Sequence, residues 1–122
     1  MRLAPILLAA LVFGASSVLS VSAVEFGTRD EAIAMVRRVQ EKFRKDGPDA
    51  TFKAINNRAF VDRDLFPWVY RLSDGTNMAN ALFPAVRGKQ LIDLKDQDGK
   101  FITQEWIRIA TTPPYHGWSN YR

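Results

Sequence analysis

The chain contains no cysteine, so a disulfide framework, a zinc–thiolate centre and a thiol nucleophile are all excluded. It has a single histidine, His116, which rules out any site built on two imidazoles. After the N-terminal segment no second long apolar run occurs, so nothing further along the 122-residue sequence reads as a membrane span. Internal repeats and low-complexity tracts are also missing. The basic excess is small, 17 Lys+Arg against 13 Asp+Glu, and it is spread along the chain. Nucleic acid needs a focused basic face, so no nucleic-acid partner is expected. What remains is an ordinary globular composition, 47% hydrophobic and 25% charged, enough for one domain.

The first residues look like an address. Arg2 is a short positive start, Leu3 to Gly14 is apolar, and Ser16, Ser17 and Ser20 lower the hydrophobicity before Val21-Ser22-Ala23. This is the three-part pattern of a secretory signal, with residues 1–23 removed and a mature domain over 24–122. An uncleaved anchor is the alternative, since Leu3 to Val24 is long enough to span hydrocarbon. Either way the domain is expected outside the cytoplasm, periplasmic or secreted, or membrane-anchored if the segment stays. The absence of cysteine suits an exported bacterial protein that does without disulfides.

Thr28-Arg29-Asp30-Glu31 is a capping box, so a helix should follow. Ala32, Val36, Val39 and Phe43 form its apolar stripe, flanked by Ile33 and Met35. Asp46-Gly47-Pro48 should end it, with Pro48 suited to open a second, short helix over about Asp49 to Asn56. From Phe60 the period changes. Leu65 to Leu72 predicts a strand, with Pro67 implying an edge or a bulge. Ser73-Asp74-Gly75-Thr76 predicts a hairpin turn, and Thr76 to Leu82 the return strand. A short apolar turn at Leu91, Ile92 and Leu94 is expected to be helical. A turn at Asp96-Gln97-Asp98-Gly99 and a helix over Phe101 to Ala110 follow. Trp118 to Tyr121 looks like the start of another strand. The order implies an α+β domain with antiparallel pairing.

These pieces together resemble a known module. Phe60-Val61-Asp62-Arg63-Asp64-Leu65-Phe66, the Asp74-Gly75-Thr76 hairpin and the Pro84-Ala85-Val86-Arg87-Gly88-Lys89 loop come first. Asp93-Leu94-Lys95-Asp96, Asp98-Gly99-Lys100 and Gly117-Trp118 with Tyr121 complete the set. In this order, behind the capped helix, they resemble the single Cache domain, type 2, over Thr28 to Tyr121. The resemblance implies a long N-terminal helix packed on a PAS-like antiparallel sheet, and an extracytoplasmic sensor rather than an enzyme. This sequence has Phe66 where the family often has tyrosine, and Asn80 near where it often has histidine. It also stops at Arg122, before a late Trp-Pro segment and strand. The sheet is therefore expected to be incomplete, and the chain to be a truncated fragment.

The candidate chemistry is modest. Asp93, Asp96 and Asp98 invite a calcium loop, but position 1 of such a loop would be Leu94. The aspartates are better read as setting the turn and capping the helix near Phe101. Ser119 lies three residues from His116 with no orienting acid, so no nucleophile is assigned; His116 reads as a loop residue. The aromatics say more. Trp68, Tyr70, Tyr115, Trp118 and Tyr121 carry polar tips once Trp106 is assigned to core packing. A few of them lining a pocket would make a small-molecule site. The candidate ligand-binding residues are Trp68, Tyr70, Asn80, Lys95, Trp118 and Tyr121, with Lys89 and Arg87 as further cations for a carboxylate. A small organic acid is the ligand class the resemblance suggests; no cofactor and no metal are implied. A separate membrane receptor or kinase is the expected signalling partner. An envelope assembly protein, or the outer part of a membrane-anchored chemoreceptor or histidine kinase, is the alternative.

Overall fold

The structure, a computed structural model, describes residues 25–122. The predicted leader, 1–23, lies outside the described residues. The domain is α+β. A long helix, α1 (Arg29–Asn56), lies against an antiparallel pair, β1 (Trp68–Tyr70) and β2 (Asn77–Asn80). A 3-10 turn (Pro84–Val86) and a second helix, α2 (Ile102–Thr111), follow. No helix among the described residues is long and apolar enough to cross a membrane.

The capping box forms as the sequence requires. The Glu31 amide donates to Thr28 Oγ1 at 3.2 Å, and the Thr28 amide donates to Glu31 Oε2 at 2.7 Å. The break at Gly47 is also present: its φ of +84° and ψ of 175° interrupt α1 in a region only glycine enters readily. Pro48 then opens the second half, and Thr51 Oγ1 donates to the Gly47 carbonyl at 2.8 Å. The two predicted helices therefore run as one kinked element. Its C-terminus closes in a Schellman pattern, with the Arg58 amide on Ile55 O and the Ala59 amide on Ala54 O, both 3.0 Å. Arg58 holds the left-handed position, φ +65°, where glycine is usual.

The buried line of α1 is not the predicted stripe. Met35, expected at the flank, is 3% exposed, while Val36 is 53% exposed and Phe43 44%. Val39 of the predicted stripe and the second half of the helix pack at β2, where Ile55, Ala79 and Ala81 form the core and Phe52, Phe60, Val69 and neighbours surround it.

The strands are shorter than predicted. Asp62 and Leu65 exchange both backbone hydrogen bonds in a tight turn, so the chain is not extended there. Pro67 stands just before β1, its carbonyl accepting from the Ala81 amide at 3.4 Å. The bulge that Pro67 suggested lies further on: Trp68 pairs with Asn80 and Val69 with Ala79, but Tyr70 pairs with Asn77. The hairpin turn is as expected. Asp74 accepts from Arg71 Nε (3.0 Å) and Nη2 (2.7 Å) and from the Thr76 amide (3.0 Å), and Gly75 takes φ +69°. On the far edge of β2, Thr76 bridges Gln90 and the Asn77 amide donates to Lys89 O at 2.9 Å. This contact is a single bridge, so the sheet keeps two strands and stays incomplete.

Three expectations are corrected. The short helical turn lies at Pro84–Val86, where proline sets the first helical φ, and not at Leu91 to Leu94. Trp118 to Tyr121 is not a strand, because no strand edge lies beside it. Its hydrogen bonds go to the Asp96 loop: Lys100 Nζ donates to Asn120 O at 2.7 Å and the Gln97 amide to Arg122 O at 3.0 Å. The aspartates do not cap α2, whose N-cap Phe101 has no side-chain partner. Asp96 instead shapes its own turn, taking the Asp98 amide at 3.0 Å and the Lys100 amide at 2.9 Å on Oδ1.

Candidate ligand cleft

Side chains alternate across a strand, so β1 has two different faces. Val69 points to the core under α1, and Trp68 and Tyr70 point the other way. On that second side α2 brings Trp106 over them, with ring centroids 5.4 Å from Trp68 and 5.5 Å from Tyr70. Tyr121 closes edge-on against Trp106 at 5.6 Å, and Phe66 extends the series at 5.1 Å from Trp68. Between these rings and the rim residues Leu91 and Leu94 is a cleft of about 160 Å³, open to solvent. The walls are almost wholly apolar, and no acidic or basic residue lines it.

Four of the six predicted residues meet there: Trp68, Tyr70, Asn80 and Tyr121. Asn80 has structural work as well. Its Oδ1 accepts the Leu82 and Phe83 amides at 3.0 and 2.9 Å, and its own amide donates to Asn56 Oδ1 at 3.0 Å. Lys95 and Trp118 are not brought to the cleft. Lys95 Nζ sits 4.7 Å over the Phe101 ring, and Trp118, 53% exposed, carries the Arg29 guanidinium 5.0 Å above it. Of the other cations proposed for a carboxylate, Lys89 is exposed and outside the lining. Arg87 is engaged by two carbonyls: Nη2 donates to Asn56 O at 3.1 Å and Asn80 O at 2.6 Å, and Nε to Asn80 O at 2.9 Å. It pins the end of α1 to the end of β2.

Trp106 was assigned to core packing, and the structure places it half-buried in the cleft wall instead. The signal was its spacing: it lies one helical turn from the buried Thr103, on the side facing the sheet. Phe66 was likewise passed over as strand filling. Behind the aromatic wall, Asn77 and Thr103 are fully buried. The Tyr70 hydroxyl lies against both. Burial pushes its ionisation above the usual phenol range, and these two neighbours partly offset the rise.

The acidic residues elsewhere act in turns and ties. Lys100 pairs with Glu105 at 2.6 Å, and Ser119 Oγ donates to Glu105 Oε1 at 2.8 Å. The Lys100 and Ser119 bonds hold Glu105 below the usual carboxylate range. Ser119 is thus bonded to a carboxylate rather than to His116, which is exposed. Among the described residues no three His, Asp or Glu side chains converge as a metal site. Arg63 fastens the segment leading into α1, pairing with Glu31 at 2.8 Å and donating to Phe26 O at 3.1 Å.

The fold defines an α+β domain with an aromatic cleft on the sheet face opposite the long helix. No protein-family model, curated protein or solved structure matches the chain.

Proposed function

We propose that this chain is an extracytoplasmic ligand-binding module of Cache type, taking a small molecule in the aromatic cleft. The observation that carries the proposal is the convergence of Trp68, Tyr70, Trp106 and Tyr121 around an open, uncharged hollow. Concave apolar walls with a few polar groups are what small-molecule sites use. The cleft joins β1 to α2 and the tail, so a ligand that bridges them favours one arrangement of these parts over another. That difference is what a signalling partner, such as a separate membrane receptor or kinase, would read. An organic acid is the weaker candidate within this class, because its charge would meet no cation in the lining. A neutral, flat molecule fits the walls better. The leader-like residues 1–23 support a place outside the cytoplasm.

Tryptophan fluorescence tests this directly, since Trp68 and Trp106 both face the hollow. Titration with small aromatic and aliphatic compounds should quench it saturably for at least one of them and raise the melting temperature. At a hundredfold excess over Kd the stabilisation is about 2.7 kcal/mol. A panel that leaves both fluorescence and melting unchanged counts against the proposal.

The exposed side of α1 favours a second reading, an envelope assembly protein. Ile33, Val36 and Phe43 recur at helical spacing on one side and are 40%, 53% and 44% exposed. In that case replacing all three with glutamine abolishes association with a partner and leaves the fluorescence titration unchanged.

A further inference from the structure

The exposed side of α1 carries cations as well as apolar groups. At about 100° per residue, Ile33, Val36 and Phe43 fall within one arc of about 120°, and Arg29, Arg37 and Arg44 fall among them on the same arc. Gln40 is the remaining residue of this arc ahead of the Gly47 break, and all of them are exposed. No acid lies on it. Asp30 and Glu41 stand beyond the Arg37 edge, Glu31 is turned to the N-cap and Arg63, and Asp46 is paired with Lys42. None of the three arginines takes part in an ion pair among the described residues. Arg29 lies instead 5.0 Å over the ring of Trp118, itself 53% exposed. Met35, the buried residue of this half, is on the other side of the helix.

We propose that this face of α1 docks on an anionic phospholipid membrane, with the first half of the helix lying along the surface. The proposal does not depend on the cleft, and it gives a bilayer the side that the second reading gives to a protein partner. Apolar side chains interleaved with arginines are the pattern of a helix that lies in the bilayer interface. The apolar groups enter the boundary between headgroups and acyl chains, and the guanidinium groups stay at the phosphates. Each cation near a negatively charged surface adds its own attraction. Trp118 stands beside Arg29, and tryptophan suits the headgroup level. A second copy is a poorer occupant, because packing two such faces together sets arginine against arginine. The sequence also brings a bilayer within reach. Only residues 25–28 separate the leader-like apolar run from α1. Whenever that run sits in a bilayer, the start of α1 is held within about 14 Å of its surface. The cleft lies on the sheet face away from α1, so docking leaves it open.

The absence of cysteine allows one environment-sensitive label to be placed at will. The full chain with Val36→Cys, labelled with a nitrobenzoxadiazole group, is mixed with vesicles of phosphatidylglycerol and phosphatidylcholine, or of phosphatidylcholine alone. Emission should shift to the blue and rise on the anionic vesicles. It should stay unchanged on the neutral ones, where an apolar leader can still insert but the arginines meet no net charge. The same label at Lys45→Cys, on another side of α1, should shift little. Replacing Arg37 and Arg44 by glutamine should remove most of the Val36 shift, and raising the salt to about 1 M should shrink it. If Val36→Cys does not fold, Ile33→Cys takes its place. Equal shifts on the two kinds of vesicle, or equal shifts at Val36 and Lys45, overturn the proposal. So does no shift on anionic vesicles, the result expected if the face belongs to a protein partner. A shift that appears without vesicles and grows with protein concentration assigns the face to a second copy and overturns the membrane. Ligand titration of the cleft is read separately by tryptophan quenching, so either reading can fail alone.

Discussion

The two faces of the β1–β2 pair are built on opposite principles. Toward α1 the sheet presents Val69 and Ala79 to Ile55 and Ala81, a small dry core. The polar groups bordering it are paired, as Arg87 on Asn56 O and Asn80 O shows. Toward α2 it presents Trp68, Tyr70 and Asn77, large rings around an open hollow with a buried amide against the Tyr70 hydroxyl. The first face holds the domain together by close packing. The second gives up close packing for an open hollow. Close packing and the open cleft are thereby separated onto two sides of the same seven strand residues.

Mutations on the two faces should therefore separate as well. The largest effect belongs to the core face. Ile55→Ala, at a site with no exposure, should cost about 2–5 kcal/mol, read by chemical denaturation. A cost under 1 kcal/mol would mean that the dry face is not the core. Gly47→Ala should follow at about 1–3 kcal/mol, because the backbone there admits glycine and little else. A null effect would show that α1 straightens freely. On the cleft face, Tyr121→Ala at a half-exposed ring should cost under about 1 kcal/mol yet weaken any ligand that quenches Trp106. A stability loss as large as that of Ile55→Ala would erase the contrast between the faces.

Two smaller effects test the turns that frame the pair. Bonds from Arg71 and from the Thr76 amide hold the Asp74 carboxyl far below its ordinary value. A carboxylate lowered on folding contributes stability that is complete above its unfolded pKa, about 3.9, and lost as pH falls through the folded value. Asp74→Asn keeps an acceptor for the Thr76 amide but removes the charge. The variant should therefore lose less stability than the parent below about pH 4. Equal acid sensitivity would show that the Arg71 pair adds nothing. Arg58→Gly, at φ +65°, should stabilise by about 0.5–1 kcal/mol by relieving the left-handed conformation at the end of α1.

Much of the local structure could be read directly. The Thr28–Glu31 box, the Asp46-Gly47-Pro48 break and the Asp74-Gly75 turn each depend on a few neighbouring residues, and each is present as expected. The α+β class followed from the same signals, and the incomplete antiparallel sheet from the family resemblance. Trp68, Tyr70 and Tyr121 were legible as residues of the cleft wall because polar-tipped aromatics in a small domain have few other places to go, whereas Asn80 came from the family resemblance. Lys95 and Trp118 were chosen for their chemistry alone, and chemistry does not reveal that each stacks elsewhere on a cation–π partner. Trp106 was missed because helical spacing says which side of α2 faces inward, not whether that side meets a filled core or a hollow.

What the residues determined by themselves is short-range: where helices start and break, where the chain turns back, and that the strands pair antiparallel. These depend on backbone sterics and on hydrogen bonds spanning a few positions. Only the tertiary structure decided that a bulge after Val69 sets Asn77 beside Tyr70, that the buried side of α1 runs through Met35, and that the tail docks on the Asp96 loop. Each of these depends on how much surface a short sheet can cover and which side chains arrive from distant positions. That sum over many contacts is one no local pattern carries.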